Sequence, residues 1–276
     1  MALNMDISAV ILAKNEEKNI ERVINSVKFC AEIVVVDDFS SDDTVKKARE
    51  LGVNIFQRRL NNDFAAQRNF AMEKVKGEWV LFVDADEEMT RELRNEIKKT
   101  IHRNFQSNSK FKIENSKQEE TQAYYLKRRD FWWGRELRHG ETKKIRQMGL
   151  IRLVRKNSGY WEGKVHEEFK TDSPVGLLES FLNHFPHPTV KDFINEVNVY
   201  STLRAKELFE QGKNTNIFEI FLYPLGKFLL TYFIKLGFLD GPGGFAYAFF
   251  MSFHSFLVRA KLYQYSRLHP QGVSKN

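Results

Sequence analysis

At 276 residues and 42% hydrophobic, the chain carries enough apolar residues for a sizeable buried core, which excludes a disordered chain and removes any need for disulfide staples. Its single cysteine, Cys30, cannot form an internal disulfide and ends an apolar helical pattern, where it reads as a small core residue instead of a reactive thiol. The net charge of +7 calls for a polyanionic neighbour, whether nucleic acid, an acidic membrane surface or a phosphorylated substrate, and does not choose among them.

No signal-peptide h-region precedes Lys14, Glu16 and Glu17, so no secretory signal is expected and the cytoplasm is the expected compartment. Residues 7–13, ISAVILA, read as a strand, and Ile20, Val23, Ile24 and Val27 then recur with the spacing of an amphipathic helix. Residues 32–38, EIVVVDD, form the second predicted strand. Ser40 or Ser41 is expected to cap the next helix, with Asp42 and Asp43 in its first turn and Gly52 as its stop. A third strand over 53–57, a helix from about 63 to 76 and a strand over 78–84 follow. Leu93, Ile97, Ile101 and Phe105 then stripe a helix for which Thr90 is the expected cap. Strand and helix alternating at this spacing predict a parallel sheet with helices on both faces.

Residues 106–121 are polar and aperiodic and read as a loop. Beyond them, AYYLKRRDFWWG, LIRLVRK and VGLLESFLNHF are strand-like, and 189–212 returns to helix. Cations crowd the middle of the chain, from Lys127 to Lys156, where an anion is expected to dock. Residues 217–239 are long and apolar enough to span a bilayer of about 20 residues' depth, but Glu219, Pro224, Lys227 and Lys235 interrupt them. Helices lying in the membrane interface are the expectation, with Lys227, Lys235, Arg259 and Lys261 assisting at an anionic surface. A hydrophobic subdomain packed on the body is the alternative.

The predicted chemistry gathers where strands end, because parallel sheets bind ligands outside the carboxyl ends of their strands. Asp84-Ala85-Asp86 after a buried strand can hold a hard divalent cation that bridges two phosphates. Asn15 and Glu16 leave the first strand, Asp38 leaves the second, and Arg68 and Asn69 precede the strand that ends in Asp84. Glu87 and Glu88 stand just before a helix, where dipole capping is an equal account. Arg68 reads equally as a phosphate ligand or as a surface salt bridge. Trp132, Trp133 and Trp161 suit sugar faces or a core equally well.

The order ILAKNEE, EIVVVDDFSSDDT, AAQRNFAM and GEWVLFVDADE resembles family-2 glycosyltransferases of the GT-A fold, a Rossmann-like, mainly parallel sheet flanked by helices. YWEGKVHEEF and GFLDGPGGFAYAF are similar, more narrowly, to the small bacterial enzymes that add glucose or related sugars to the lipopolysaccharide inner core. The resemblance implies a nucleotide-sugar half over 1–105, an acceptor half over 122–215 after the loop, and an amphipathic, membrane-associating helical tail over 216–276. It implies that Ala13, Asn15, Glu16, Asp38, Arg68, Asp84 and Ala85 line the nucleotide-sugar site, with Asp38 on the uracil of a UDP-sugar and Asp84 facing the ribose. Asp86, with Asp84, would hold Mg²⁺ or Mn²⁺, and Glu88 is a possible further ligand. The Glu-Asp pair that supplies the base in many relatives does not occur in this chain. Glu167 is the expected base, with His166 orienting it or contacting the donor.

The implied reaction is a single inverting transfer of a hexose to a hydroxyl of a membrane glycolipid at the inner face of the cell membrane. Transfer to a polyprenyl phosphate is the alternative among enzymes. A basic nucleic-acid-binding protein is the rival from another class, and the acidic rim argues against a nucleic-acid partner.

Overall fold

The computed structural model describes residues 6–109, 120–164, 167–186 and 189–268, with side chains in the first segment described to Arg103. The chain forms two compact units, Met1–Arg129 with Ile145–His184, and Asp130–Lys144 with Phe185–Asn276. These units do not follow the boundaries at 105, 121 and 215.

The first unit is built on β1 (Ile7–Ala13), β2 (Glu32–Asp37), β3 (Asn54–Gln57) and β4 (Trp79–Asp84), which run parallel in the order β3-β2-β1-β4. Every position of β1 except Leu12 is buried, as a central strand covered on both faces requires. Its odd positions, Ile7, Ala9 and Ile11, pack with Ile20, Val23 and Ile24 of α1 (Ile20–Ser26) and with Leu93, Ile97 and Ile101 of α4 (Arg91–Ser109). Val10 faces the other way, onto Ala65, Ala71 and Met72 of α3 (Phe64–Lys74). One helical layer therefore covers each face.

Beyond β4 the sheet turns antiparallel through β8 (Leu150–Arg155), β6 (Ala123–Trp132), β11 (Val175–His184) and β5 (Glu87–Met89), so the sheet as a whole is mixed. Two short strands, β9 (Tyr160–Glu162) and β10 (Glu168–Lys170), form a separate hairpin. Asp63 caps α3 by accepting the Ala66 N–H at 2.8 Å, and Thr90 accepts that of Leu93 at 3.2 Å ahead of α4. Neither Ser40 nor Ser41 caps α2 (Thr44–Glu50): Ser40 binds Asp37 and Ser41 binds Asn15, while Asp42 accepts the Thr44 N–H at 3.0 Å. Helix α4 continues past residue 105 to Ser109, and residues 110–119 of the expected loop lie outside the described residues.

The second unit contains β7 (Arg135–Leu137), paired with the end of β6, and three long helices, α6 (Val190–Glu210), α7 (Ile217–Leu229) and α8 (Gly241–Leu268). α5 (Thr142–Met148) connects the units along the chain. Trp132, Leu137, Phe193 and Val197 form the second unit's core with Tyr247, Phe250 and Leu257 of α8. A π-helical turn, Leu230–Ile234, extends α7, and a 3-10 turn, Gly237–Asp240, leads into α8. A Cβ on Gly244 would collide with the Gly237 carbonyl oxygen, which accounts for glycine in the DGPGG stretch.

The four tail cations expected to meet anionic lipid are tied within the second unit. Lys227 and Lys235 lie 3.1 and 2.9 Å from Glu141, the Arg259 guanidinium sits 4.0 Å from the Tyr223 ring, and Lys261 donates to Asn198, Ser201 and Thr202 of α6. Many apolar side chains of α7 and the turn after it are exposed: Phe218 is 72% and Ile234 74% exposed, and Phe221, Leu222 and Leu225 are also bare. The 18 residues Ile217–Ile234 are long and apolar enough, by length and composition, to cross a membrane.

Candidate active site

Strand register builds the rim. Ala13 pairs with Asp37 in the β1–β2 ladder, and Leu12 pairs with Asp84 in the β1–β4 ladder, so three strands end at one level. Asn15, at a positive φ of 56°, begins the turn after β1 and accepts the Ser41 N–H at 2.8 Å. Glu16 donates its backbone N–H to Thr44 Oγ1 at 2.7 Å and accepts from Asn19 Nδ2 at 2.8 Å. The loops after β1 and β2 are thereby laced together. Asp37, fully buried, anchors Ser40 and takes Gln57 Nε2 at 3.0 Å. Asp38 accepts the Leu60 N–H at 3.0 Å and pairs with Lys14 Nζ at 2.6 Å.

At the end of β4, Asp84 meets two buried arginines. Arg68 donates from Nη2 at 3.0 Å, while Arg152 donates from Nη1 at 3.2 Å and from Nη2 to the other oxygen. Burial would raise the Asp84 carboxyl, but the Arg152 and Arg68 guanidiniums outweigh it and hold the group far below the usual carboxylate range. Arg68 is only 4% exposed, which removes the surface salt-bridge reading. Its guanidinium lies 5.3 Å from the Phe82 ring and 4.9 Å from the Trp161 ring, and its Nε donates to Glu167 at 2.8 Å. One side chain thus joins Asp84 of the strand-end rim to Glu167, 83 residues further along the chain. Glu168, the next residue, pairs with Lys170 at 2.8 Å on the exposed side of its strand.

Asp86 sits on the turn between β4 and β5 with His184 Nε2 at 3.1 Å, and both side chains keep partial exposure. Burial raises the Asp86 carboxyl, yet the charge and hydrogen bond of His184 prevail and hold it below its ordinary range. Glu87 is fully buried in β5, and burial prevails over its arginine partners to raise its carboxyl. Neither Glu87 nor Glu88 caps α4, the work Thr90 does, and Glu88 projects to the sheet face opposite Glu87. Among the described residues no three His, Cys, Asp or Glu side chains form a self-sufficient metal cluster. An oxygen and a nitrogen donor side by side at a partly open rim nonetheless fit a divalent ion that takes its remaining ligands from substrate phosphate and water.

His166 lies outside the described residues. Ala13 and Ala85 are buried at the rim. Asn69 is committed to the β9 backbone, exchanging two 2.8 Å bonds with Trp161. Trp161 and Trp132 are core residues, whereas Trp133 is 51% exposed, stacked on Trp132 with ring centroids 4.3 Å apart. The sequence reading does not bring His184 to the rim, and it gives Arg152 only a place among the cations expected to dock an anion. Arg152 carried a signal: a charge inside the apolar run LIRLVR at a buried position demands a buried counter-charge. His184 carried none locally, since its partner is 98 residues away.

The family model for glycosyl transferase family 2 matches residues 8–166. An uncharacterized glycosyltransferase of Rickettsia typhi is 30% identical over 272 residues, covering 94% of this chain and 87% of the relative. LpsC of Rhizobium meliloti, a lipopolysaccharide core biosynthesis glycosyltransferase, is 29% identical and covers 96% of this chain and 94% of its own. Among solved structures, TarS of S. aureus (residues 1–349, in complex with UDP-GlcNAc) is 17% identical with a TM-score of 0.47, covering 96% of this chain and 88% of that one.

Proposed function

Since this chain belongs to glycosyl transferase family 2, we propose that it is an inverting enzyme that moves a hexose, glucose in our reading, from a UDP-sugar to a hydroxyl of a membrane glycolipid of the lipopolysaccharide-core class. The observation that carries the reading is the continuous link Asp84–Arg68–Glu167, which holds a candidate base beside the donor rim.

In this reading the nucleotide lies across the laced loops at Ala13, Asn15, Glu16 and Asp38. Asp38 already accepts from Leu60 and Lys14, and a carboxylate's roughly four lone-pair sites leave room for a uracil imide. Asp84 accepts three guanidinium bonds, so it retains about one site, enough for a ribose hydroxyl. Asp86 and His184 are then the side chains that would hold Mg²⁺ or Mn²⁺, and an imidazole ligand favours Mn²⁺ over the oxygen-seeking Mg²⁺. A cation bound there would neutralise the departing diphosphate. The acceptor oxygen attacks the anomeric carbon as the bond to the diphosphate breaks, Glu167 takes the hydroxyl proton, and the configuration inverts. Arg68, with one buried Nη1 lacking a partner among the described residues, adds positive charge next to that bond.

The exposed apolar face of the second unit supports attachment to the inner face of the cell membrane, where a glycolipid acceptor presents its sugar. The test is transfer of labelled hexose from UDP-, GDP- and ADP-glucose to purified lipopolysaccharide-core acceptor, with Mn²⁺ and with chelator. Cation-dependent incorporation from UDP-glucose with inversion at the anomeric carbon is expected. Transfer that ignores both nucleotide and cation would overturn the reading.

A further inference from the structure

Glu87 has no part in the chemistry just described, although it is fully buried and charged partners surround it. One of its oxygens accepts the backbone N–H of Asp84 at 2.9 Å and so closes the turn that carries Ala85 and Asp86. Its other oxygen lies 3.1 Å from Arg152 Nη2 and 3.6 Å from Arg128 Nη1. The Arg152 nitrogen that reaches Glu87 is the one that also holds the Oδ2 of Asp84. Asp84 is therefore gripped twice, at its backbone through Glu87 and at its carboxylate through Arg152, in a closed ring of three residues.

The grip extends to the neighbouring strand. Glu87 is the register partner of His184 in the β5–β11 ladder, and His184 is the residue that meets Asp86. A shift of β5 against β11 would part the Asp86 carboxylate from the imidazole. Stability alone is a poor reason for such an arrangement, because a buried ion pair is seldom better than apolar residues of similar volume.

We propose that Glu87 and Arg152 are positioning residues, which set the separation and orientation of Asp86 and His184 and so determine cation affinity without touching the cation. This rests on the reading of Asp86 and His184 as the cation-holding pair. Groups that orient ligands from behind typically govern metal affinity by about 10- to 100-fold.

The experiment uses the full chain saturated with UDP and titrates it calorimetrically with Mn²⁺, comparing wild type, Glu87→Gln, Arg152→Lys and Asp86→Asn, with melting temperatures measured alongside. Glu87→Gln keeps the shape but not the charge, and Arg152→Lys keeps the charge but loses the two-nitrogen grip on Asp84. With UDP kept saturating, both are expected to raise the Kd for Mn²⁺ by about 10- to 100-fold and to recover transfer at excess Mn²⁺. An unchanged Mn²⁺ Kd with a lowered melting temperature overturns the proposal, and so does failure of both variants to fold, since the ring is then a core element. If Asp86→Asn leaves Mn²⁺ binding intact, the cation reading itself fails and takes this inference with it.

Discussion

Each of the two units contains a glutamate that gathers two cations, and the two carboxyls are displaced in opposite directions. Glu87 faces Arg152 and Arg128 in the sheet unit, has no exposure, and is raised because burial outweighs them. Glu141 faces Lys235 and Lys227 in the helical unit, keeps 21% of its side chain exposed, and is lowered because those lysines and Thr231 outweigh burial. The same pairing of one carboxylate with two cations thus has two uses. In the sheet unit it holds a geometry at a charged rim, at a cost in desolvation; in the helical unit it is a stabilising tie beneath an apolar surface. The division extends to the apolar residues. The sheet unit buries the aliphatic side chains of its central strands, whereas the helical unit leaves Phe218, Phe221, Leu222 and Ile234 bare.

The sharpest way to break this contrast is at the rim. Asp86→Asn is expected to abolish cation-dependent turnover of UDP-glucose while leaving the fold intact, and unchanged turnover would take the D-x-D out of the mechanism. Next in size, Glu167→Gln should lower transfer by about 10² to 10⁴-fold with donor binding near normal, and Glu168→Gln should do little. Steady-state rates of both variants decide between them. A normal rate in Glu167→Gln would point to an acceptor that is already an anion, such as a polyprenyl phosphate.

On the helical side, Phe221→Asp with Ile234→Asp should weaken sedimentation with lipid vesicles by about tenfold or more, since each inserted side chain is worth roughly 1.5–3 kcal/mol. Because Lys227, Lys235, Arg259 and Lys261 are tied within the unit, high salt should release little of the bound protein. Release by salt alone would assign attachment to charge instead. The smallest effect concerns Glu141→Gln, expected to cost roughly 1–3 kcal/mol at pH 7 by denaturant unfolding. The folded carboxyl titrates below its ordinary 4.5, so the stabilisation is complete above that value and is lost as pH falls through the lowered one. A difference from wild type that persists in strong acid would refute the tie.

Much of the parallel half was legible in the sequence because its signals are local. ISAVILA and EWVLFVD announce buried strands, and the stripe beginning at Ile20 announces a helix. The rim followed from strand ends alone, which placed Asp84 and Asp86 beside Asn15 and Asp38. What escaped depends on pairing across long separations. Arg152 finds Asp84 from 68 residues away, and His184 finds Asp86 from 98. Ser40 and Ser41 misled for a related reason: both looked like caps, but the loop after β1 offered them better partners. The tail cations misled because a lysine beside an apolar run looks alike whether it meets lipid or a glutamate 94 residues away, as Lys235 does.

Cys30, the single cysteine, packs against the core of the sheet unit, and burial pushes its thiol well above the ordinary range. Only a thiolate reacts readily with alkylating reagents, so at neutral pH the native chain is close to inert toward them. A cysteine introduced at bare Phe221 would then be the one fast-reacting thiol, ready to carry a fluorophore or spin label without first removing the natural residue. Whether that surface enters a bilayer can be read directly from an otherwise unaltered enzyme.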